Sequence, residues 1–200
     1  MKPLWIVLLV VAVAIVLPAG CGASSYNKLV ALDQGVQSQW AQVENVYQRR
    51  LDLVPNLVET VKGAAAFEKE TFTAVAEARS RAAQTTAAAP AAPTDPAALQ
   101  RFQNAQDALG ASLSKLMVVV ERYPELRATQ SFRDLQSQLE GTENRIAVER
   151  MRFNEVARTF NTTRDSFPTN LLAGFFGARF QEKAYFRAAP GSEIAPKVHF

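Results

Sequence analysis

From Tyr26 to Val61 apolar side chains return every three or four residues: Leu29, Leu32, Val36, Trp40, Val43, Tyr47, Leu51, Val54, Leu57 or Val58, and Val61. That rhythm places them on one stripe of an amphipathic helix. Pro55 falls inside the pattern, and its missing backbone donor predicts a kink there. Gly63 marks a weak point before a second helix over roughly 66–82, carrying Phe67, Phe72 and Val75. The stretch 82–98 turns to Ala, Thr and three prolines, a composition that predicts a flexible surface loop. Asp95-Pro96 then opens a third helix, with Asp as N-cap and Pro in the first turn. Its stripe runs from Leu99 and Phe102 through Leu109, Leu113 and Leu116 to Val120, and Tyr123-Pro124 breaks it.

The fourth helix has the most regular pattern. Phe132, Leu135, Leu139, Thr142, Ile146, Glu149, Phe153, Val156, Phe160, Thr163 and Phe167 alternate in steps of three and four, a heptad seam with three polar intrusions. Ser131 is a candidate cap, and Phe167-Pro168 ends the helix because the residue before proline is pushed out of the helical region. No segment alternates with period two, so no sheet is expected.

The N-terminal segment follows a different rule. Leu4 to Leu17 carries no polar side chain except the indole of Trp5, small uncharged residues continue to Ala23, and the next charge is Lys28. A bundle helix would show a polar face; this one has none, and twenty helical residues reach ~30 Å, enough to cross a hydrocarbon core. Three readings stay open: a retained transmembrane signal-anchor, which is preferred, a lipoprotein acylated at Cys21, and simple cleavage. Leu17-Pro18-Ala19-Gly20-Cys21 resembles a lipobox with proline where leucine is usual. Lys2 against Lys28 favours export of the C-terminal part.

Composition removes most catalytic chemistries. The chain has one cysteine, Cys21, and one histidine, His199, in 200 residues. Disulfides, Cys/His metal clusters, His-based triads and Cys–His dyads all need more. Glu59, Glu68, Glu70 and Glu77 could suggest a carboxylate metal site, but helical di-iron sites use Glu-x-x-His, and no helix here carries histidine. No metal, cofactor or small-molecule substrate is therefore expected. The net charge of +3 is spread along helices of alternating sign, which argues against nucleic-acid binding. Arg49-Arg50 and the run Arg145, Arg150, Arg152 are assigned to exposed faces beside acidic neighbours such as Glu149 and Glu155. Trp40 and Tyr47 are assigned to the core. Asn144, Asn154 and Asn161 lie near the seam, where buried amides fix register.

The ending 167–177 is too apolar for a solvated tail and too short to span a membrane. Two long helices of about 55 Å and two shorter ones, joined by short connections, predict an up-down-up-down path. The short pair would cover only the end of the long pair far from the membrane. Leu171, Leu172, Phe175 and Phe176 emerge at the near end, as candidates for packing on the uncovered seam or for contact with a membrane or a partner.

The same residues carry a family likeness. Ser25-Tyr26-Asn27-Lys28-Leu29-Val30, Gln39-Trp40-Ala41-Gln42-Val43-Glu44-Asn45 and the run from Tyr47 through Arg49-Arg50 and Leu53-Val54-Pro55-Asn56-Leu57-Val58 resemble the LemA family of bacterial membrane proteins. Glu143-Asn144-Arg145-Ile146-Ala147, Phe153-Asn154, Phe167-Pro168-Thr169-Asn170-Leu171 and Ala195-Pro196-Lys197-Val198 extend the likeness over nearly all of the chain after residue 24. The Ala/Pro loop at 85–98 and the cysteine at position 21 are where this member is expected to depart from its relatives. The resemblance implies one N-terminal membrane segment followed by an antiparallel four-helix-type bundle. The expected architecture is thus all-α: residues 1–23 as anchor, 24–168 as bundle with two long and two shorter helices, and 169–200 as an apolar, irregular tail. The expected function is a non-enzymatic, membrane-anchored scaffold or adaptor of the bacterial envelope, single-pass with its bulk outside the cytoplasm. The alternative is a self-assembling structural or sensory module. Both call for a protein partner or self-association at the membrane, and neither for nucleic acid.

Overall fold

A computed structural model describes residues 2–63, 68–88, 93–175 and 179–187, with residues 2–4, 6, 7, 15, 17–19 and 172 described by backbone alone. It contains α1 (Lys2–Lys62), α2 (Lys69–Ala87), α3 (Pro96–Val120), the single turn α4 (Pro124–Arg127), α5 (Gln130–Asp165) and α6 (Thr169–Phe175). Among the described residues there is no strand, as the absence of period-two alternation predicts. The apolar run at the start is continuous with the first bundle helix. Among the described residues, no helix is long and apolar enough to cross a membrane.

Pro55 does not interrupt α1. A proline leaves the carbonyl four residues earlier without its helical donor, which here is that of Leu51. Arg79, on α2, donates Nε to the Leu51 oxygen at 3.0 Å. The gap in one helix is thus filled by a side chain of its neighbour, and the fault becomes a fixing point between α1 and α2. The second helix extends to Ala87, beyond the expected end at residue 82. Of its expected first turn, residues 66 and 67 lie outside the described residues, and the helix is described from Lys69. Asp95 caps α3 as expected, accepting from Ala97 N at 2.8 Å. For α5 the cap is Thr129 rather than Ser131, its Oγ1 accepting from Phe132 N at 3.3 Å.

α1 and α5 run antiparallel along their length: Trp40 meets Phe153 at 5.4 Å between ring centroids, Gln39 donates to Glu149, and Arg50 meets Glu143 further up. α2 packs on α1, and α3 packs on α2. α3 and α5 do not pair closely. Two apolar clusters result. The distal one joins Leu51, Leu57 and Val61 to Val75, Leu109, Leu116, Phe132 and Leu139. The proximal one joins Leu29, Val36, Trp40 and Tyr47 to Phe102, Phe153 and Phe160, with Phe180 and Phe186 added from the far end of the chain. Among the described side chains, neither cluster has a buried member on α1 before Leu29.

The heptad reading of α5 holds for Phe132, Leu139, Thr142, Ile146, Phe153 and Phe160, which are buried. It fails at Phe167, which is 81% exposed, because the helix stops at Asp165 and the turn carries that ring outward. Ala157 and Asn161 are buried in addition, because a second segment covers that flank of the helix.

Tyr47 and Trp40 are core residues, as their stripe predicts. Burial pushes the Tyr47 hydroxyl up to about 12, against the pull of Arg150 and Arg50. The folded state holds this phenol protonated, so its contribution is full below pH ~10, the unfolded value, and disappears as pH rises through about 12. Tyr47→Phe is accordingly expected to flatten the fall in stability between pH ~10 and 12, measured as urea midpoint against pH. An unchanged alkaline slope would contradict this assignment.

Candidate functional site

Residues 180–187 lie as a strap along α5, held by its side chains. The Asn161 amide donates to Lys183 O and accepts from Lys183 N, both at 2.9 Å. One heptad earlier, the Asn154 amide repeats the pairing with Phe186 O and N, again both at 2.9 Å. Seven helical residues rise ~10.5 Å, and three extended residues cover nearly the same distance. The strap is therefore drawn out, antiparallel to α5, with the heptad spacing setting its register. Arg164 Nε donates to Phe180 O at 2.7 Å, while Arg150 and Gln103 both donate to Arg187 O, at 2.9 and 2.7 Å. Ala184 N reaches Pro93 O at 3.0 Å. A buried segment outside helix and sheet must satisfy its backbone groups in this way.

The side chains of the strap complete the proximal core. Phe186 stacks on Trp40 at 6.0 Å and meets Phe153 edge-on at 5.6 Å. Arg150 lies over the outer face of Phe186, 4.8 Å from its centre. Lys183 is 4% exposed, with Nζ 2.7 Å from Asp33 Oδ1 and 4.8 Å from the centre of the Phe160 ring. The other Asp33 oxygen accepts from Gln37 at 2.8 Å.

A second constellation lies in the gap between α3 and α5. A groove of about 360 Å³ is lined by Leu113, Met117, Leu139, Gln136, Glu140 and Glu143, with Arg50 at its floor. Arg50 Nε is 2.7 Å from Glu143 Oε1, and Nη1 donates to Gln106 O at 3.4 Å. The assignment of Arg50 to an exposed face is thus corrected, since the residue is 5% exposed. Gly110 on α3 makes the room: a Cβ there would stand 2.8 Å from Arg50 Nη2. Arg150 is corrected too, being half-buried under the strap, whereas Arg49, Arg145 and Arg152 are exposed as assigned.

The residues singled out from sequence fall in three places. Cys21 is exposed on α1. Leu171 and Phe175 are 66% and 83% exposed on α6, whose Thr169 and Ala173 face inward. The Leu172 side chain and Phe176 lie outside the described residues. Among the described residues no three His, Cys, Asp or Glu side chains gather as a metal site. What the geometry offers is binding and fixing of an extended peptide backbone, and a groove with a buried cation. The strap, the Asp33–Lys183 pair and the role of Arg79 went unread in the sequence. The available signal was the seven-residue spacing of Asn154 and Asn161, together with the apolar frame of Phe180 and Phe186 around Lys183.

The LemA family model matches residues 39–200, which takes in most of α1 beyond its apolar start, α2 to α6 and the strap. The chain belongs to the LemA family. Within the LemA family it is similar to magnetosome proteins MamQ 1 and MamQ 2 of Paramagnetospirillum magneticum and to magnetosome protein MamQ of Magnetospirillum gryphiswaldense. Each is 26% identical over 191 residues, covering 86% of this chain and 70% of the relative.

Proposed function

We propose that this LemA-family protein is a non-enzymatic scaffold, anchored in a bacterial membrane by the start of α1, with its bulk outside the cytoplasm. The observation that carries the reading is the exposure of that start. Trp5, Leu8, Leu9, Val10, Val11, Val13 and Val16 are 46–78% exposed. Leu8 to Val11 follow one another at 100° steps, so apolar side chains surround the axis with no polar face. Water is a poor solvent for such a helix, and a bilayer is a good one. The run from Leu4 to Ala23 supplies the length in the sequence for one crossing. The similarity to magnetosome proteins agrees with membrane association.

The groove between α3 and α5 supports the adaptor form of this reading, because its apolar walls and buried Arg50 leave a surface for a partner protein. Self-assembly is the second reading, favoured by exposed Val118 and Met151 on the outer faces of α3 and α5. Exposed Cys21, at the end of the apolar run, would carry the acyl chain if the anchor is a lipid.

Deleting residues 1–23 is expected to move the protein from the membrane pellet to the soluble fraction with its helical circular dichroism kept. A truncated chain that still pellets with membranes, or loses its helicity, would contradict the anchor reading. Crosslinking the full chain in native membranes through a photoreactive group at Met117 separates adaptor from self-assembly. One heterologous adduct supports the adaptor, and self-adducts alone support self-assembly.

A further inference from the structure

We infer that α6 is a second membrane-contacting element, which lays Leu171 and Phe175 into the headgroup zone of the bilayer that α1 enters. The inference rests on the anchor reading above and adds to it a fixed seating of the bundle on the bilayer surface.

The argument starts from the two faces of α6. Thr169 and Ala173, four residues apart, are 7% and 3% exposed and turn toward α1 and α5. Leu171 and Phe175, also four apart, fall on the opposite side of the helix at 66% and 83% exposure. Phe167, in the turn before α6, adds a third large exposed apolar side chain. With Thr169 and Ala173 turned inward, Leu171 and Phe175 are two large apolar side chains that the bundle's own core does not take up.

The height of α6 along α1 identifies what it faces. Arg179, just beyond α6, donates Nη1 to the Tyr26 hydroxyl at 2.7 Å, and Ala173 joins the cluster whose first α1 member is Leu29. α6 therefore sits at the end of the bundle where α1 emerges. About twenty residues counted from Lys2 bring α1 through a ~30 Å hydrocarbon core to the region of Cys21. Tyr26 lies only ~7 Å further along the axis, within the headgroup layer that adds several ångströms on each side. The surroundings suit that layer: Tyr26, Phe167 and Phe175 are aromatic, and Lys28 and Arg179 are exposed cations. Asp165 and Glu182 are exposed nearby as well, so the contact is apolar insertion and does not depend on anionic lipid. Two points of attachment, α1 and α6, restrict the tilt of the bundle, which a single helix would leave free.

The test uses the full chain with Cys21→Ser, reconstituted in phosphatidylcholine vesicles and carrying one fluorophore through Phe175→Cys. Leu171→Cys serves as a second variant on the same face. Val13→Cys reports on the anchor, and Ser131→Cys on the distal end of the bundle. Lipids with a nitroxide at the headgroup or deep in the acyl chain act as quenchers. The expected result is that the labels at 175 and 171 are quenched chiefly by headgroup nitroxide, the label at 13 by deep nitroxide, and the label at 131 by neither. Deep quenching at 13 with labels at 175 and 171 no more quenched than that at 131 would overturn this inference and leave the anchor standing. Absence of quenching at 13 would overturn both.

Discussion

Asp33→Ala is expected to destabilise the protein by about 3–5 kcal/mol, among the largest effects of any single polar substitution in the chain. Lys183 is 4% exposed, and its ammonium has Asp33 as its ion-pair partner at 2.7 Å. Taking the carboxylate away leaves a cation against the Phe160 ring with no counter-charge, and a buried unpaired charge costs several kcal/mol. The cation–π contact with Phe160 offsets only part of that. The strap must then lift to return Lys183 to water, drawing Phe186 out of the Trp40 cluster. Replacing both partners, as Asp33→Leu with Lys183→Met, removes the charges together and is expected to restore most of the stability. Urea unfolding of the detergent-solubilised chain, followed by circular dichroism, measures both variants. If Asp33→Ala costs less than ~1 kcal/mol, the pair behaves like a solvated surface bridge and the strap is not held as described. Hydrogen exchange at the amides of Lys183 and Phe186 gives a local reading: Asp33→Ala should speed it more than exchange in the distal cluster.

The parts of this structure legible in the sequence are those that local periodicity encodes. The stripes on α1, α3 and α5 identify Leu29, Trp40, Tyr47, Phe102 and Phe153 as core because a helix repeats its faces every 3.6 residues. The Asp95 cap is legible for a similar reason, since donor and acceptor are two residues apart. The features that escaped depend on partners distant in the chain. Pro55 marks a freed carbonyl at Leu51, but that Arg79 on another helix supplies its donor is not legible along α1 alone. Arg50 reads as a surface residue until Gly110 is seen to make room for its guanidinium. The strap has no period at all, being an extended segment whose backbone is satisfied by side chains up to 84 residues away. Their place near the seam marks Asn154 and Asn161 as register-fixing amides of a helix pair. They fix a register, but that of the strap against α5.

Phe153→Ala is expected to cost about 3–5 kcal/mol, the range for truncating an aromatic residue in a packed core. Phe153 is fully buried and touches two other rings, Trp40 at 5.4 Å and Phe186 at 5.6 Å. Its loss opens a cavity between α1, α5 and the strap, three segments that cannot all close on it without breaking the Asn154 pairing with Phe186. Arg150, three residues earlier on the same helix, provides the graded comparison. As an exposed residue it would cost little, but it donates to Arg187 O and covers the Phe186 ring. Arg150→Ala should therefore cost about 1–2 kcal/mol, because its hydrogen bond to Arg187 O and its cation–π contact are both open to solvent. Arg145→Ala, on the exposed face, should stay within ~0.5 kcal/mol. The order Phe153, Arg150, Arg145 in chemical-denaturation midpoints checks the packing directly. Equal shifts for Arg150→Ala and Arg145→Ala would mean that the strap end is not docked on α5 in solution. An effect of Phe153→Ala no larger than that of Arg145→Ala would mean that the α1–α5 seam itself is misassigned.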